Sequence, residues 1–384
     1  MPWKVNTQVE NRTTFALRKL DGSSTMKDLC KEYGISRKTG YKWLNRFKRQ
    51  GEEGLRNKSR RPKTQPHQTS ESIVSAVIEE KRKHPKWGPK KLHCILSKRG
   101  LESLPSKATL GRILDRYGLV KKHKKRRGRL VRAPMQLTRP MYANHVWGVD
   151  FKGWFATQDG KRCEPLTISD LYSRYVIVCH GLRSTKTLHV REVFEAVFRK
   201  YGKPLIIRSD NGVPFSSQSL SGLSSLSVWW MSLGIEPELM DPGHPEQNPE
   251  HERMHKTLKF EILDKAGRDL EAQQKIFNKW RNEFNTVRPH EAIGMKCPCE
   301  LYEKSAHRYS KIIKPYQYEE NMLVRSVKNT GWIKWQGKRL YLSKTLKKHQ
   351  VGIKSITPTE YEVYFRTKKL GFIKAGDNKV LPMS

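Results

Sequence analysis

Three carboxylates stand in contexts that point to chemistry rather than to a solvated surface. Asp150 lies in HVWGVDFKGWF, an apolar, aromatic-rich run that reads as a buried strand. Asp210 closes PLIIRSDNG, where a short apolar strand meets an Asn-Gly turn. Glu252 lies in NPEHERMHKTLKFEIL, which reads as a helix with Asn248 as N-cap and Pro249 as first residue. A charged Asp in a buried strand is costly unless it is paired or binds a metal. Oxygen donors with no neighbouring Cys suit a hard cation, Mg²⁺ with Mn²⁺ as substitute. Carboxylates converging from a strand, a strand end and a helix would hold two such ions about 3.5–4 Å apart. That arrangement stabilises both the attacking and the leaving oxygen of an in-line phosphoryl displacement.

Helix phase separates Glu252 from Glu250. At about 100° per residue, Glu252, His255, Lys256 and Lys259 share one face, while Met254, Leu258 and Ile262 form the core face. Glu252 thus projects beside a basic stripe, with Lys256 and Lys259 suited to a nucleic-acid backbone. Glu250 falls on the Arg253/Met254 side and supports the helix start through the dipole. His244, His251 and His255 surround Glu252, and His251/His255 have an i, i+4 spacing compatible with zinc. No HExxH pattern accompanies them, so zinc is not expected.

These carboxylates need elements to position them, and a partner. The chain has 384 residues, enough for two to four domains at about 100–200 residues each. Its formal net charge of +39 divides into +26 over 1–140, +2 over 141–310 and +11 over 311–384. A nearly neutral middle therefore sits between two basic ends, and double-stranded DNA is the polyanion that best offsets them. There is no run of about 18 apolar residues and no signal peptide, so a membrane is excluded as partner. Six scattered cysteines without CxxC fit a reducing cytoplasm.

The N-terminal third reads as two all-α helix-turn-helix units. In MKDLCKEYGISRKTGYKWLNRFK, Thr25 caps a helix over about 26–33, Gly34 takes the positive φ of its end, and Ser36 caps a second helix. Gly40, Trp43, Leu44 and Phe47 form its buried stripe. Arg37, Lys38, Tyr41, Lys42 and Asn45 face outward, where groove contacts occur. A second unit follows: a helix over 70–83 with Ile73, Val74, Val77 and Ile78 inward, a helix opening at Pro89, and a third capped by Ser106 with Leu110, Ile113 and Leu114 inward. The expected boundaries are 1–54 for the first unit, 55–69 for a basic linker carrying Arg60 and Arg61, and 70–120 for the second unit. A basic arm spans 121–140, with Lys124, Lys125, Arg126 and Arg127 as phosphate contacts. An α/β core follows over 141–310. The C-terminal 320–384 reads as a small basic all-β barrel, with GWIKWQGKRLYLS forming two strands joined at Gln336-Gly337.

The ordered set WGVDFKG, ISDLYSRY, IIRSDNGVPF, HPEQNPEHERMHKTLK and NTVRPHEAIGMKCP resembles the integrase core of bacterial DDE transposases and retroviral integrases. With both N-terminal units, the resemblance covers most of residues 15–305. It implies an RNase H-like catalytic core with a mixed sheet and helices, in a multidomain chain whose C-terminal barrel is SH3-like. It further implies the catalytic and metal-binding triad Asp150, Asp210 and Glu252, and DNA contact by Lys256 and Lys259. The implied activity is that of an insertion-sequence transposase. Such an enzyme binds terminal inverted repeats and target DNA and catalyses Mg-dependent strand cleavage and transfer, as a homo-oligomer on paired ends in the bacterial cytoplasm at the nucleoid. The alternative is an inactive or regulatory DNA-binding protein that keeps the fold. Asp170 matches a recurrent structural Asp, expected to pair with Arg174. Two departures are visible. The interval between Asp210 and Glu252 is enlarged within SSQSLSGLSSLSVWW, and Pro249 stands where the family often has Gly.

Overall fold

A computed structural model describes residues 7–59, 68–120, 137–217, 222–241, 247–263, 266–374, 376 and 379–381. Arg60, Arg61, Lys124, Lys125, Arg126, Arg127 and His244 lie outside the described residues. The chain forms two compact units, Met1–Thr69 and Ser70–Ser384. Among the described residues no helix is long and apolar enough to cross a membrane.

In the first unit, α1 (Gln8–Leu20) precedes the helix pair read from the sequence, α2 (Met26–Glu32) and α3 (Arg37–Gln50). Each start is capped by a hydroxyl that accepts a backbone N–H three residues on: Thr7 from Glu10, Thr25 from Asp28, Ser36 from Thr39. Gly34 holds φ +62 between α2 and α3. Gly40 is obligatory, since a Cβ there would stand 2.7 Å from Cys30 Sγ. Phe15, Ala16, Leu29 and Leu44 close the core. Leu55, at the start of the expected linker, is fully buried, and its carbonyl accepts from Arg12 Nη1 at 2.7 Å.

The second unit opens with α4 (Glu71–Lys83), α5 (Pro89–Lys98) and α6 (Lys107–Arg116), built around Val74, Val77, Leu92, Leu110, Ile113 and Leu114. A mixed sheet follows. Its strands are β1 (Val146–Phe151), β2 (Phe155–Ala156), β3 (Arg162–Asp170), β4 (Val176–Leu182), β5 (Ile206–Ser209) and β6 (Glu236–Leu239). β3 lies antiparallel to both β1 and β4, whereas β1, β5 and β6 run parallel. Both faces are covered, which is why these strands read as continuous apolar runs. On one face α7 (Thr187–Tyr201) and α8 (Ser225–Ser232) pack Phe194, Phe198 and Trp230 over Trp147, Val149 and Ile168. On the other, α9 (Pro249–Leu258), a single π-turn at Lys259–Leu263 and α10 (Leu270–Thr286) pack Met254, Leu258, Phe277 and Trp280 over Cys163 and Cys179.

The C-terminal part is all-β, as expected, but its closed barrel is not. Strands β7 (Met322–Ser326), β10 (Gln350–Thr357), β11 (Glu360–Phe365) and β12 (Lys368–Lys374) form one antiparallel sheet in the order β12-β11-β10-β7. Strands β8 (Trp332–Trp335) and β9 (Lys338–Tyr341) form a separate hairpin. Positive φ at both Gln336 and Gly337 (+44 and +77) makes the tight hairpin turn. Among the described residues, no ladder joins hairpin to sheet to complete a barrel. Hairpin and sheet nevertheless share one core, in which Ile333 and Leu340 pack with Val351, Ile353 and Phe365 as well as with Val228 and Met231 of α8, and residues 379–381 bridge Tyr341 of β9 to Phe372 of β12.

Candidate active site

Pleating sets the site. Gly148 and Asp150 point to the α9 face of β1, opposite Trp147 and Val149. In the antiparallel register Gly148 faces Ser169 and Asp150 faces Thr167, giving two polar rows side by side. α9 lays His251 over the first row and His255 over the second. His251 Nδ1 and Ser169 Oγ are 3.0 Å apart. Thr167 Oγ1 donates to the Asp150 backbone carbonyl or to one of the two imidazoles, standing 2.8 Å from His251 Nε2 and 2.7 Å from His255 Nε2. His255 Nδ1 lies 3.5 Å from Asp150 Oδ2. Gly148 permits this approach, because a Cβ would meet His251 Nδ1 at 3.1 Å and Asn248 Nδ2 at 3.3 Å.

Asp150 lies within electrostatic reach of both Asp210 and Glu252. β5 runs parallel to β1 with Val149 opposite Ser209, so Asp150 and Asp210 are neighbours one position further on, at the C-terminal ends of adjacent strands. Glu252 joins them from the first turns of α9. Burial, Asp210 and Glu252, in that order, push the Asp150 carboxyl up to about 7. Burial also raises Asp210, against a lowering hydrogen bond from the Gly212 backbone. Asp210 Oδ1 is buried without a hydrogen-bond partner. Gly212 is needed here, because a Cβ at that position would stand 2.9 Å from Asp210 Oδ2.

Both histidines are neutral. Burial and Lys152 depress His251 to about 3, and burial, His251 and Lys152 hold His255 well below its ordinary value. Asp150, His251 and His255 offer ligand atoms within 4.8 Å of one another. Three of the four ring nitrogens are engaged by Thr167 and Ser169 and the fourth, His255 Nδ1, faces Asp150, so the imidazoles act as a scaffold under Asp150.

Several sequence expectations meet their geometry here. Lys256 and Lys259 are exposed beyond Glu252, and Arg37, Lys38, Tyr41, Lys42 and Asn45 are all exposed on α3. His255 does not share the outer stripe: it is buried with His251, in line with Leu258 and Ile262 at i, i+4, i+7 and i+11. Asn248 occupies the N-cap position, but its side chain makes no capping bond. Asp170 holds a turn by accepting from the Asn144 N–H at 2.7 Å and the Ser173 N–H at 2.8 Å. The carboxylate nearest Arg174 is Glu250, at 3.1 Å, rather than Asp170. The interval before α8 carries Ser216–Leu223 bridging and then the capping box of Ser224. Sequence reading missed Thr167 and Ser169. Their signal is the alternation of hydroxyls in LTISD opposite an i, i+4 histidine pair.

Residues 141–245 and 233–298 match integrase core domain families. Residues 12–63 match a helix-turn-helix domain and 39–114 a homeodomain-like domain. The chain is 26% identical over 244 residues to an insertion element IS407 protein of Burkholderia multivorans, covering 62% of this chain and 83% of that one. It is 25% identical over 243 residues to the transposase for insertion sequence element IS904 of Lactococcus lactis, covering 60% and 91%. The solved HTLV-2 integrase catalytic core domain aligns at 19% identity and TM-score 0.34, covering 43% of this chain and 100% of that one. The chain thus carries helix-turn-helix and integrase core domains and is similar over about three fifths of its length to proteins of insertion elements, one of them a transposase.

Proposed function

We propose that this chain is a DNA transposase of an insertion sequence, with Asp150, Asp210 and Glu252 as its catalytic carboxylates. The observation that supports the reading is that burial, Asp210 and Glu252 together raise the Asp150 carboxyl to about 7, while Asp210 Oδ1 is buried without a hydrogen-bond partner. An Asp150 carboxyl raised by two neighbouring acids fits divalent cations, Mg²⁺ by ligand chemistry, and two ions suit three carboxylates. When bound, the cations supply neutralisation of the acids and polarisation of a phosphodiester. The chain's own residues do the rest. His255 and Thr167 fix the orientation of Asp150, and Gly212 leaves room for Asp210. Lys256 and Lys259 hold a phosphate backbone beside Glu252.

Recognition falls to α3, whose exposed Arg37, Lys38, Tyr41, Lys42 and Asn45 suit a major groove at the terminal inverted repeats. Arg60, Arg61 and the Lys124–Arg127 run add phosphate contacts. Joining two ends calls for at least two copies of the chain. The test is cleavage and joining of a terminal-repeat duplex with Mg²⁺. Glu252→Gln is expected to lower cleavage by on the order of a hundredfold or more while repeat binding persists. Cleavage at the wild-type rate would remove Glu252 from the triad. Binding without cleavage or joining by the wild-type chain would favour a regulatory DNA-binding protein.

A further inference from the structure

On the flank of α9 turned away from Glu252 lies a second cavity of about 450 Å³. Its walls come from α5 through Lys91, from the Asp170–Arg174 turn, from α9 through Glu250 and Arg253, and from the loop after α10 through Arg288 and His290. It lies within the size range of small-ligand sites. Its polar groups are incompletely satisfied. Arg174 Nε and Nη1 and His290 Nε2 are all buried without a hydrogen-bond partner. Nη1 stands 3.1 Å from Glu250 but out of hydrogen-bonding alignment.

Asp170 and Glu250 also line the cavity, and Glu250 is ion-paired with Arg174, so the cations left without an ion pair among the described residues are Lys91 and Arg253. Glu291 is drawn to Lys90 at 2.6 Å, outside the cavity, and Arg288 is paired with Glu261. Lys91 has no ion pair among the described residues, and burial, then Arg288, push it down to about 8, so it is still protonated at neutral pH. Arg253 is likewise unpaired among the described residues and stands close enough to lower Arg174. His290 is neutral, with its other nitrogen engaged by the Phe284 backbone. Its free Nε2 therefore accepts from a hydroxyl or an amine. Leu171, Met254 and Phe284 supply apolar wall. Unspent cations, one acceptor and an apolar side are what a nucleotide needs for its phosphate, its hydroxyl or amine, and its ring.

We propose that this cavity binds a single nucleotide unit, with the phosphate on Lys91 and Arg253 and a donor group on His290. The nucleotide comes either from an extruded strand end of bound DNA or from the free pool. The inference deepens the DNA reading, and Glu252→Gln, which tests that reading, leaves this binding intact, so the two fail separately.

The test is calorimetric titration of the full chain with deoxyadenosine monophosphate, with inorganic phosphate and with a duplex bearing a 5′-phosphorylated overhang. Saturable nucleotide binding, tighter than that of inorganic phosphate, is expected. Lys91→Met and Arg253→Met should each weaken it about tenfold or more, with Lys91→Arg retaining it and Lys27→Met, in the other unit, leaving it unchanged. An overhang that displaces the mononucleotide marks DNA as the source, and one that does not marks the free pool. The proposal is overturned if no probe binds saturably, or if Lys91→Met and Arg253→Met bind as the wild type does.

Discussion

At the residue scale, the Asp150 carboxylate is both the least comfortable group in the core and the one with the most support around it. Its side chain is only 23% exposed, and its pKa is raised by burial and by the charges of two other acids. A carboxyl whose folded pKa is raised contributes its full stability only at low pH. That contribution falls away as pH rises from about 4 to about 7, because the unfolded chain ionises first, and is level above that. The metal-free protein should therefore lose several degrees of Tm between pH 5 and pH 8, and millimolar Mg²⁺ should restore much of it at pH 8. Asp150→Asn should raise Tm in chelator at pH 8 and abolish the Mg²⁺ response in the same thermal scans. Thr167 is the second residue to probe, since one hydroxyl serves two imidazoles and a carbonyl. Thr167→Val should cost about 1–3 kcal/mol in urea unfolding through the polar atoms it orphans.

At the element scale, α10 closes what would otherwise be an open edge of the sheet. Asn285 accepts from the Val176 N–H and donates to the Val176 carbonyl, both at 2.9 Å. Gln274 does the same for the Gly181 N–H and the Cys179 carbonyl, and Arg281 donates to the Ile177 carbonyl. Side chains of a helix thus replace a missing strand along β4, a protection against edge pairing. Asn285→Ala should destabilise the protein by about 1–3 kcal/mol and increase aggregation on heating, as followed by light scattering. α8 shows a different solution. SLSVWWMS is apolar around its whole circumference because Trp229 and Trp230 pack on the α/β core while Val228 and Met231 pack on the C-terminal strands.

At the scale of the whole molecule, the helical unit Ser70–Arg116 belongs with the integrase core, not with the first helix-turn-helix. His84 stacks on Trp87 and stands 2.9 Å from Glu283, Lys98 stands 2.6 Å from Glu300, and Cys94 Sγ reaches the Met295 carbonyl. Residues Met1–Thr69 form their own unit, with a core closed by Leu55. A fragment of residues 1–69 should fold alone, with helical circular dichroism and a cooperative melt. It should bind repeat DNA with a log–log salt slope that Arg37→Ala or Lys42→Ala each reduces by about 0.9. A fragment ending at 54 should melt less cooperatively for want of Leu55.

The sequence by itself determined what short-range rules decide. Caps at Thr25, Ser36 and Ser106, the glycine at 34, Pro89 and Pro249 as helix starts, and the Gln336-Gly337 turn depend on neighbours within a few positions. The three carboxylates stand out in the sequence too, because an acid in an apolar run or at a strand end is costly and so conspicuous. Tertiary structure alone decided matters of register and docking. Pairing of β1 with β3 put Thr167 beside Asp150, and α9 turned His255 inward, where the sheet offered it the Thr167 hydroxyl and the Asp150 carboxylate. The C-terminal hairpin and sheet pack into one core with α8, without a ladder joining them directly. Such outcomes turn on contacts between residues tens of positions apart, which periodicity does not encode.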